Sequence, residues 1–380
     1  MEIAVIIGRN IDNLRNSHNV SLEQLAELIN VTRQTMSNYI KGKQIIDSGK
    51  LAVLARYFNK PLEYFLAEEH NELSFMFRAD NPKENFNDIL SSKINRKIST
   101  VLEILAMSER KLAMVPESYN LKTAGKKLNL EEKEIIEEIA LKKREEFGIS
   151  DIIPENIYKV FQEKDINLLA CPFHNDKIFA VSAYSPEHGS FIVLNNDENI
   201  PEERKIFSAV HELGHLIFHR NQYTGDISCL FYGRQKDINE EIANHFAMCF
   251  LVPRNIIKRY KKSYKEKPFF LSEVLEHKRH LRVSAMCLIY ALHYYGIISK
   301  DQKGIHIGYL KKKGYAQAEP RPIAPINKDS YWIELIKDLY LRDKITVNKI
   351  CEVLEIPLLQ ARKMVKEWVI ESERTPETVL

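Results

Sequence analysis

What this sequence lacks narrows its class before any motif is read. Cysteine is scarce: five in 380 residues, at Cys171, Cys229, Cys249, Cys287 and Cys351, with no C-x-x-C pair. An odd, scattered set of thiols excludes a disulfide scaffold and fits a reduced, intracellular protein. No apolar run approaches the roughly 20 residues a membrane helix needs. The amino end, Met1 to Arg9, is too short and has the wrong charge order for a signal peptide, so the expected location is the cytoplasm, with no membrane partner. Charge of one sign is missing too: 55 Lys and Arg face 52 Asp and Glu, leaving +3. Any nucleic-acid binding must therefore be local. No internal repeat or low-complexity run stands out. At 380 residues and 44% hydrophobic, the chain is long enough for two or three domains with substantial cores.

What is present concentrates in residues 210–219. There His211-Glu212-Leu213-Gly214-His215 forms H-E-x-x-H inside an apolar run of helical character. Residues four apart share a helix face, so His211 and His215 can present ring nitrogens to one metal ion. Glu212 sits one residue round from that seam, where a carboxylate can serve as a base toward water. Two ligands and a base in five residues is the zincin arrangement. The bland alternative is a buried helix with two core histidines. His219 extends the row, but residues eight apart are separated by about 12 Å of rise, against Zn–N bonds of about 2 Å. It reads as a helix-end residue favoured by the dipole.

A catalytic zinc takes a third protein ligand. A second helix is expected after Asp237 or Asn239, ended by Pro253. On it Glu240 and Asn244 share a face. That suits a carboxylate ligand, with an amide one turn on to hold a ligand histidine by its other nitrogen. Zn2+ is the expected ion, and Mn2+ or Fe2+ also suits two histidines and a carboxylate.

HELGH followed by E-x-x-A-N-x-F-A and a closing L-x-P resembles the ImmA/IrrE family of metallopeptidases, over residues 125–255. The resemblance implies metal ligands His211, His215 and Glu240, and Glu212 as catalytic acid/base. Glu241 rivals Glu240, and the E-x-x-A-N register favours Glu240. Residues 189–195 resemble the family's edge strand. The family's substrates imply another regulator, typically a helix-turn-helix repressor, cut at one site. Tyr223, Tyr232 and His245 remain open as oxyanion donors.

Residues 1–68 read as five short helices. Ser21 with Gln24 forms a capping box. Asn30 tolerates the left-handed turn that follows. Thr32 caps a polar-faced helix ending at Gly42, and Ser48 is expected to open the next. The stretch LAELINVTRQTMSNYIKGK resembles Xre/Cro-type repressors. It implies a helix in the major groove of duplex DNA with Arg33, Gln34, Ser37 and Asn38 outward, and Lys41 and Lys43 on phosphates.

The expected fold is mainly α with an α+β peptidase core. A five-helix helix-turn-helix domain (1–68) leads through a linker with helical segments (69–124) to a zincin-like domain with a small sheet (125–255). A helical regulatory or dimerisation region (256–380) follows. Within it, residues 346–360 read as helix, turn and Pro-initiated helix, fitting either a second helix-turn-helix or a packing subdomain. The basic, tyrosine-rich residues 258–265 read as a solvated helix end. The functional expectation is a DNA-binding regulator with a zinc endopeptidase that relieves repression, with homodimerisation open. The alternatives are a regulator whose metal is structural or sensory, and one half of a toxin-antitoxin-like pair. A loop at residues 221–239 and the helical tail are the expected gates on the peptidase.

Overall fold

The computed structural model describes residues 3–17, 20–58, 62–66, 76–79, 88–109, 117–185, 188–220, 238–263, 271–315 and 318–374. The chain forms two compact units, Met1–Ser74 with Asn87–Ser92, and Phe75–Phe86 with Lys93–Leu380.

Among its described residues the first unit holds α1 (Ile3–Ser17), α2 (Leu22–Leu28), α3 (Arg33–Ile40), α4 (Ser48–Tyr57) and α5 (Leu62–Leu66). Ser21 closes the capping box with Gln24 at the start of α2. Asn30 takes the left-handed conformation at φ 54°. The Thr32 side chain then accepts the Thr35 N–H to open α3. One expectation shifts by a residue. Asp47, not Ser48, caps α4, because its carboxylate accepts the Lys50 N–H from an extended backbone at φ −71°, ψ 152°. Ile11, Leu25, Met36, Leu54 and Phe65 close the core. At Gly8, an added Cβ would stand 2.3 Å from the Tyr39 carbonyl oxygen and 2.4 Å from that of Ile40. Only glycine lets α1 pass the end of α3 so closely.

The second unit holds one four-stranded sheet of β1 (Met76–Ala79), β2 (Ile166–Cys171), β3 (Ala180–Ser185) and β4 (Gly189–Asn195), in the order β1-β3-β4-β2. β4 runs parallel to β2 and antiparallel to β3, and β1 pairs antiparallel with the outer side of β3. This corrects one expectation: β4 is an interior strand. Phe191 is opposite Asn167 on one side and Ala183 on the other. Its continuous apolar run is buried from Ser190 to Asn195, as befits a strand covered on both faces.

The helices that follow are α6 (Asp88–Met107), whose start belongs to the first unit, α7 (Leu130–Glu146), α8 (Ile157–Glu163), α9 (Glu202–Phe218), α10 (Ile238–Leu251), α11 (Arg254–Ser263), α12 (Leu271–Leu281), α13 (Ala285–Tyr294), α14 (Lys300–Lys312), α15 (Ser330–Leu341), α16 (Val347–Leu354) and α17 (Leu358–Arg374), with α9 packed on β3 and β4 and α8 on β2. One core runs from Leu128 on to Leu310. Ile256, Val274 and Leu288 share it with Ile192 and Val210, so packing continues past residue 255. Buried charges tie later segments to the first turn of α9. Lys278 Nζ lies 2.6 Å from Glu203 Oε1 and 3.2 Å from Glu319 Oε1. Lys328 Nζ lies 2.8 Å from Glu202 Oε1, which also accepts the Tyr158 hydroxyl at 2.6 Å. Carboxylates suit a helix N-terminus, and burial is tolerable because each is paired. Among the described residues, no helix is long and apolar enough to cross a membrane.

Candidate metal centre

α9 and α10 meet face to face across Gly214. A Cβ there would stand 3.2 Å from Ala243 Cα and 3.2 Å from Phe246 Cδ1. The missing side chain lets the helix bearing His211 and His215 lie close to the helix bearing Glu240. Both histidines are buried, and Glu240 is half-buried.

The three donors converge. His211 Nε2 and His215 Nε2 are 3.0 Å apart. Glu240 Oε2 lies 3.2 Å from the first and Oε1 lies 3.3 Å from the second. A tetrahedral ion with ligand bonds of about 2.0–2.1 Å spaces its ligand atoms about 3.3 Å apart. The donor set and its spacing therefore fit one metal ion. Burial pushes the Glu240 carboxyl pKa up. The hydrogen bonds from His211 and His215 outweigh that and hold it well below the usual carboxylate range.

The other ring nitrogens are engaged as well. Asn244 Oδ1 lies 3.1 Å from His211 Nδ1. His219, at the end of α9, places its Nδ1 2.9 Å from His215 Nδ1. Both contacts fix how a histidine ring is turned toward the cluster. Glu212 is fully buried, and its Oε2 accepts the Ser182 hydroxyl from β3. Glu241 faces elsewhere, accepting the Leu128 N–H at 3.3 Å.

Of two further neighbours of the cluster, Ser182 carries no sequence signal and His219 does. Ser182 reaches Glu212 only through the strand pairing of the sheet. His219 lies on the same seam as the other histidines, four residues beyond His215, and that spacing is its signal. Of the expected oxyanion donors, His245 is engaged away from the cluster. Its Nε2 lies 3.2 Å from the Lys133 carbonyl oxygen, and its ring packs edge-on against Tyr294 at 4.6 Å. Tyr223, Tyr232, Cys229 and most of the expected gating loop lie outside the described residues.

In the first unit, Arg33, Gln34, Lys41 and Lys43 are exposed, and Ser37 and Asn38 are half-buried. Arg33 Nε pairs with Glu23 Oε1 at 2.7 Å, and Gln34 Nε2 donates to Asn38 Oδ1 at 3.3 Å.

A helix-turn-helix module and a peptidase-type helix pair on one chain define a regulator with a metallopeptidase-like domain. A family model described as IrrE N-terminal-like domain, of peptidase family M78, matches residues 161–293, and a helix-turn-helix model matches residues 11–65. The chain is similar to an uncharacterised HTH-type transcriptional regulator of Rickettsia prowazekii, 29% identical over 116 residues, covering 29% of this chain and 89% of that protein. It is similar also to one from Rickettsia conorii, 36% identical over 112 residues, covering 28% of this chain and 90% of that protein. The chain belongs to the helix-turn-helix regulators and carries an IrrE-like peptidase-family domain.

Proposed function

We propose that the protein is a cytoplasmic DNA-binding regulator whose second unit is a zinc-dependent endopeptidase that cuts a partner helix-turn-helix repressor. The observation that carries this reading is the convergence of His211, His215 and Glu240 beside a fully buried carboxylate, Glu212. His211, His215 and Glu240 would hold the metal, which supplies Lewis acidity toward a carbonyl and acidifies water. Glu212, oriented by Ser182, takes the proton of the attacking water and returns it to the leaving amine. Water thereby adds across one peptide bond to give a carboxylic acid and an amine. Asn244 and His219 hold the two rings in place. A purely structural or sensory metal site has no use for a buried base at Glu212, which favours hydrolysis.

We assign α11 to α13 to the same peptidase unit, because they share its core. An extended substrate enters by strand addition. Both edges of β4 and both edges of β3 are paired, so among the described strands the open edges for this are the outer sides of β1 and β2. In the first unit, α3 reads duplex DNA, with Arg33 and Asn38 able to address guanine and adenine. Base contact by Arg33 competes with its ion pair to Glu23.

The test is incubation of zinc-loaded protein with the helix-turn-helix repressor encoded nearest to it. One cut is expected, absent in Glu212→Gln, with casein left intact. Equal cleavage by Glu212→Gln would remove hydrolysis from this site.

A further inference from the structure

The turn between α16 and α17 follows the turn between α2 and α3 in its N-cap, its left-handed residue and its closing hydrogen bond, with Pro357 where Thr32 caps α3. In the first unit, the N-cap Ser21 is followed nine residues later by Asn30 at φ 54°. In the second, the N-cap Thr346 is followed nine residues later by Glu355 at φ 55°. Each cap side chain accepts the N–H three residues on, from Gln24 and Lys349 respectively. Val31 N donates to Ala26 O at 2.9 Å, and at the same offset Ile356 N donates to Cys351 O at 3.2 Å. The core positions correspond as well. Leu25 and Ile350 are both fully buried, as are Met36 and Ala361. A left-handed residue is unfavourable for glutamate, so its presence nine residues after a cap marks a turn that the packing imposes.

The two units thus share one local architecture, and α15 packs against both α16 and α17 to complete a three-helix bundle. Trp332, Leu335, Ile336, Leu339, Ile350, Val353, Ala361, Val365 and Trp368 are its buried apolar residues. From α6, Lys97 braces the turn, donating to Val353 O at 3.2 Å and lying 3.5 Å from Glu355 Oε1. That ion pair also offsets the acid nearest the start of α17.

The positions that face outward on α3 have cationic and apolar counterparts on α17. In place of Arg33, Gln34, Ser37 and Asn38 stand Leu358, Leu359, Arg362 and Lys363, all exposed. Lys366 stands in place of Lys41. The first two turns of α17 carry no acid before Glu367, and the later Glu371 is paired with Lys337 at 2.5 Å. Leu359 is 82% exposed and its neighbour Leu358 41%, on the same two turns of α17 as Arg362 and Lys363.

We propose that α15, α16 and α17 form a second helix-turn-helix that binds duplex DNA through the first two turns of α17. One chain then carries two DNA readers. Arg362 has the fork that recognises guanine, Leu359 suits a thymine methyl, and Lys363 and Lys366 suit phosphates. The basic face complements the duplex.

The experiment uses the full-length chain and a pool of random 30-base-pair duplexes, with α3 disabled by Arg33→Ala and Asn38→Ala. This chain is expected to retain salt-sensitive duplex binding and to select a motif. Adding Arg362→Ala and Lys363→Ala should weaken that binding about tenfold or more and erase the motif. Lys366→Ala alone should lower the salt slope by about one. All these side chains are exposed except the half-buried Asn38, so the fold should persist, and circular dichroism of each variant checks it. Unchanged duplex affinity on losing Arg362 and Lys363 would overturn the proposal. So would a change of oligomeric state in Leu359→Ala with duplex affinity intact, which would make this face a protein-docking surface.

Discussion

Alanine at Gly214 separates two effects that usually travel together. In a helix interior, Gly→Ala is worth about 1 kcal/mol in propensity. At Gly304, in α14, an added Cβ meets nothing within 4 Å, so Gly304→Ala should stabilise by about that amount. At Gly214 the same methyl stands 3.2 Å from the backbone of Ala243 and 3.2 Å from the Phe246 ring. Overpacking of a tight core costs about 1–3 kcal/mol. The net effect at Gly214 is a loss of up to about 2 kcal/mol, opposite in sign to Gly304. The helices must also part by a few tenths of an ångström where Glu240 faces the two histidines. Metal affinity should therefore fall along with stability. Hydrogen exchange of the α9 amides in the metal-free chain reads the first effect without mixing in the other unit. Competition against a chelating dye reads the second. A Gly214→Ala protein as stabilised as Gly304→Ala, with metal affinity unchanged, would refute the close-packing argument.

Other consequences follow from single contacts. Asn244→Ala removes the partner of His211 Nδ1 and should weaken metal binding by about 10–100-fold while leaving one site per chain; dye competition measures it. Burial, reinforced by the charge of Lys133 and opposed by Glu137, pushes the His245 imidazole down to about 4 from 6.5. The unfolded chain then binds the proton first. Stability that is complete above pH 6.5 is lost as pH falls toward 4, by about 3 kcal/mol at most. Urea unfolding at several pH values should show this slope, and His245→Gln should flatten it. Lys278→Met strands the buried Glu203 carboxylate and should cost about 3–5 kcal/mol, part of which Glu203→Gln in the same chain should recover.

What could be read from the sequence was what depends on local spacing. The four-residue repeat of His211 and His215, the shared face of Glu240 and Asn244, and the caps at Ser21 and Thr32 are all set within one helix. The order of the sheet was not readable, because strand neighbours are chosen by long-range packing. Hence residues 189–195 read as an edge strand but lie inside the sheet, and Ser182 next to Glu212 was invisible. His219 was seen and set aside as a ligand by helix rise. Its contact with His215 is the same four-residue spacing, put to orienting a ring. The continuity of the core past residue 255 depends on where α11 to α13 pack, which no local pattern in those helices reveals. Residues 346–360 read as helix, turn and helix, but the match of Thr346 and Glu355 to Ser21 and Asn30 needed the backbone angles.

In the proposed function one metal ion is held by His211, His215 and Glu240, with Glu212 beside it as a base and not a ligand. Metal content by elemental analysis of the purified chain and four variants tests it most directly. One metal, chiefly zinc, is expected per parent chain and per Glu212→Gln chain, and none in His211→Ala, His215→Ala or Glu240→Ala. Full metal retention in Glu240→Ala, or its loss in Glu212→Gln with the fold intact, would contradict it.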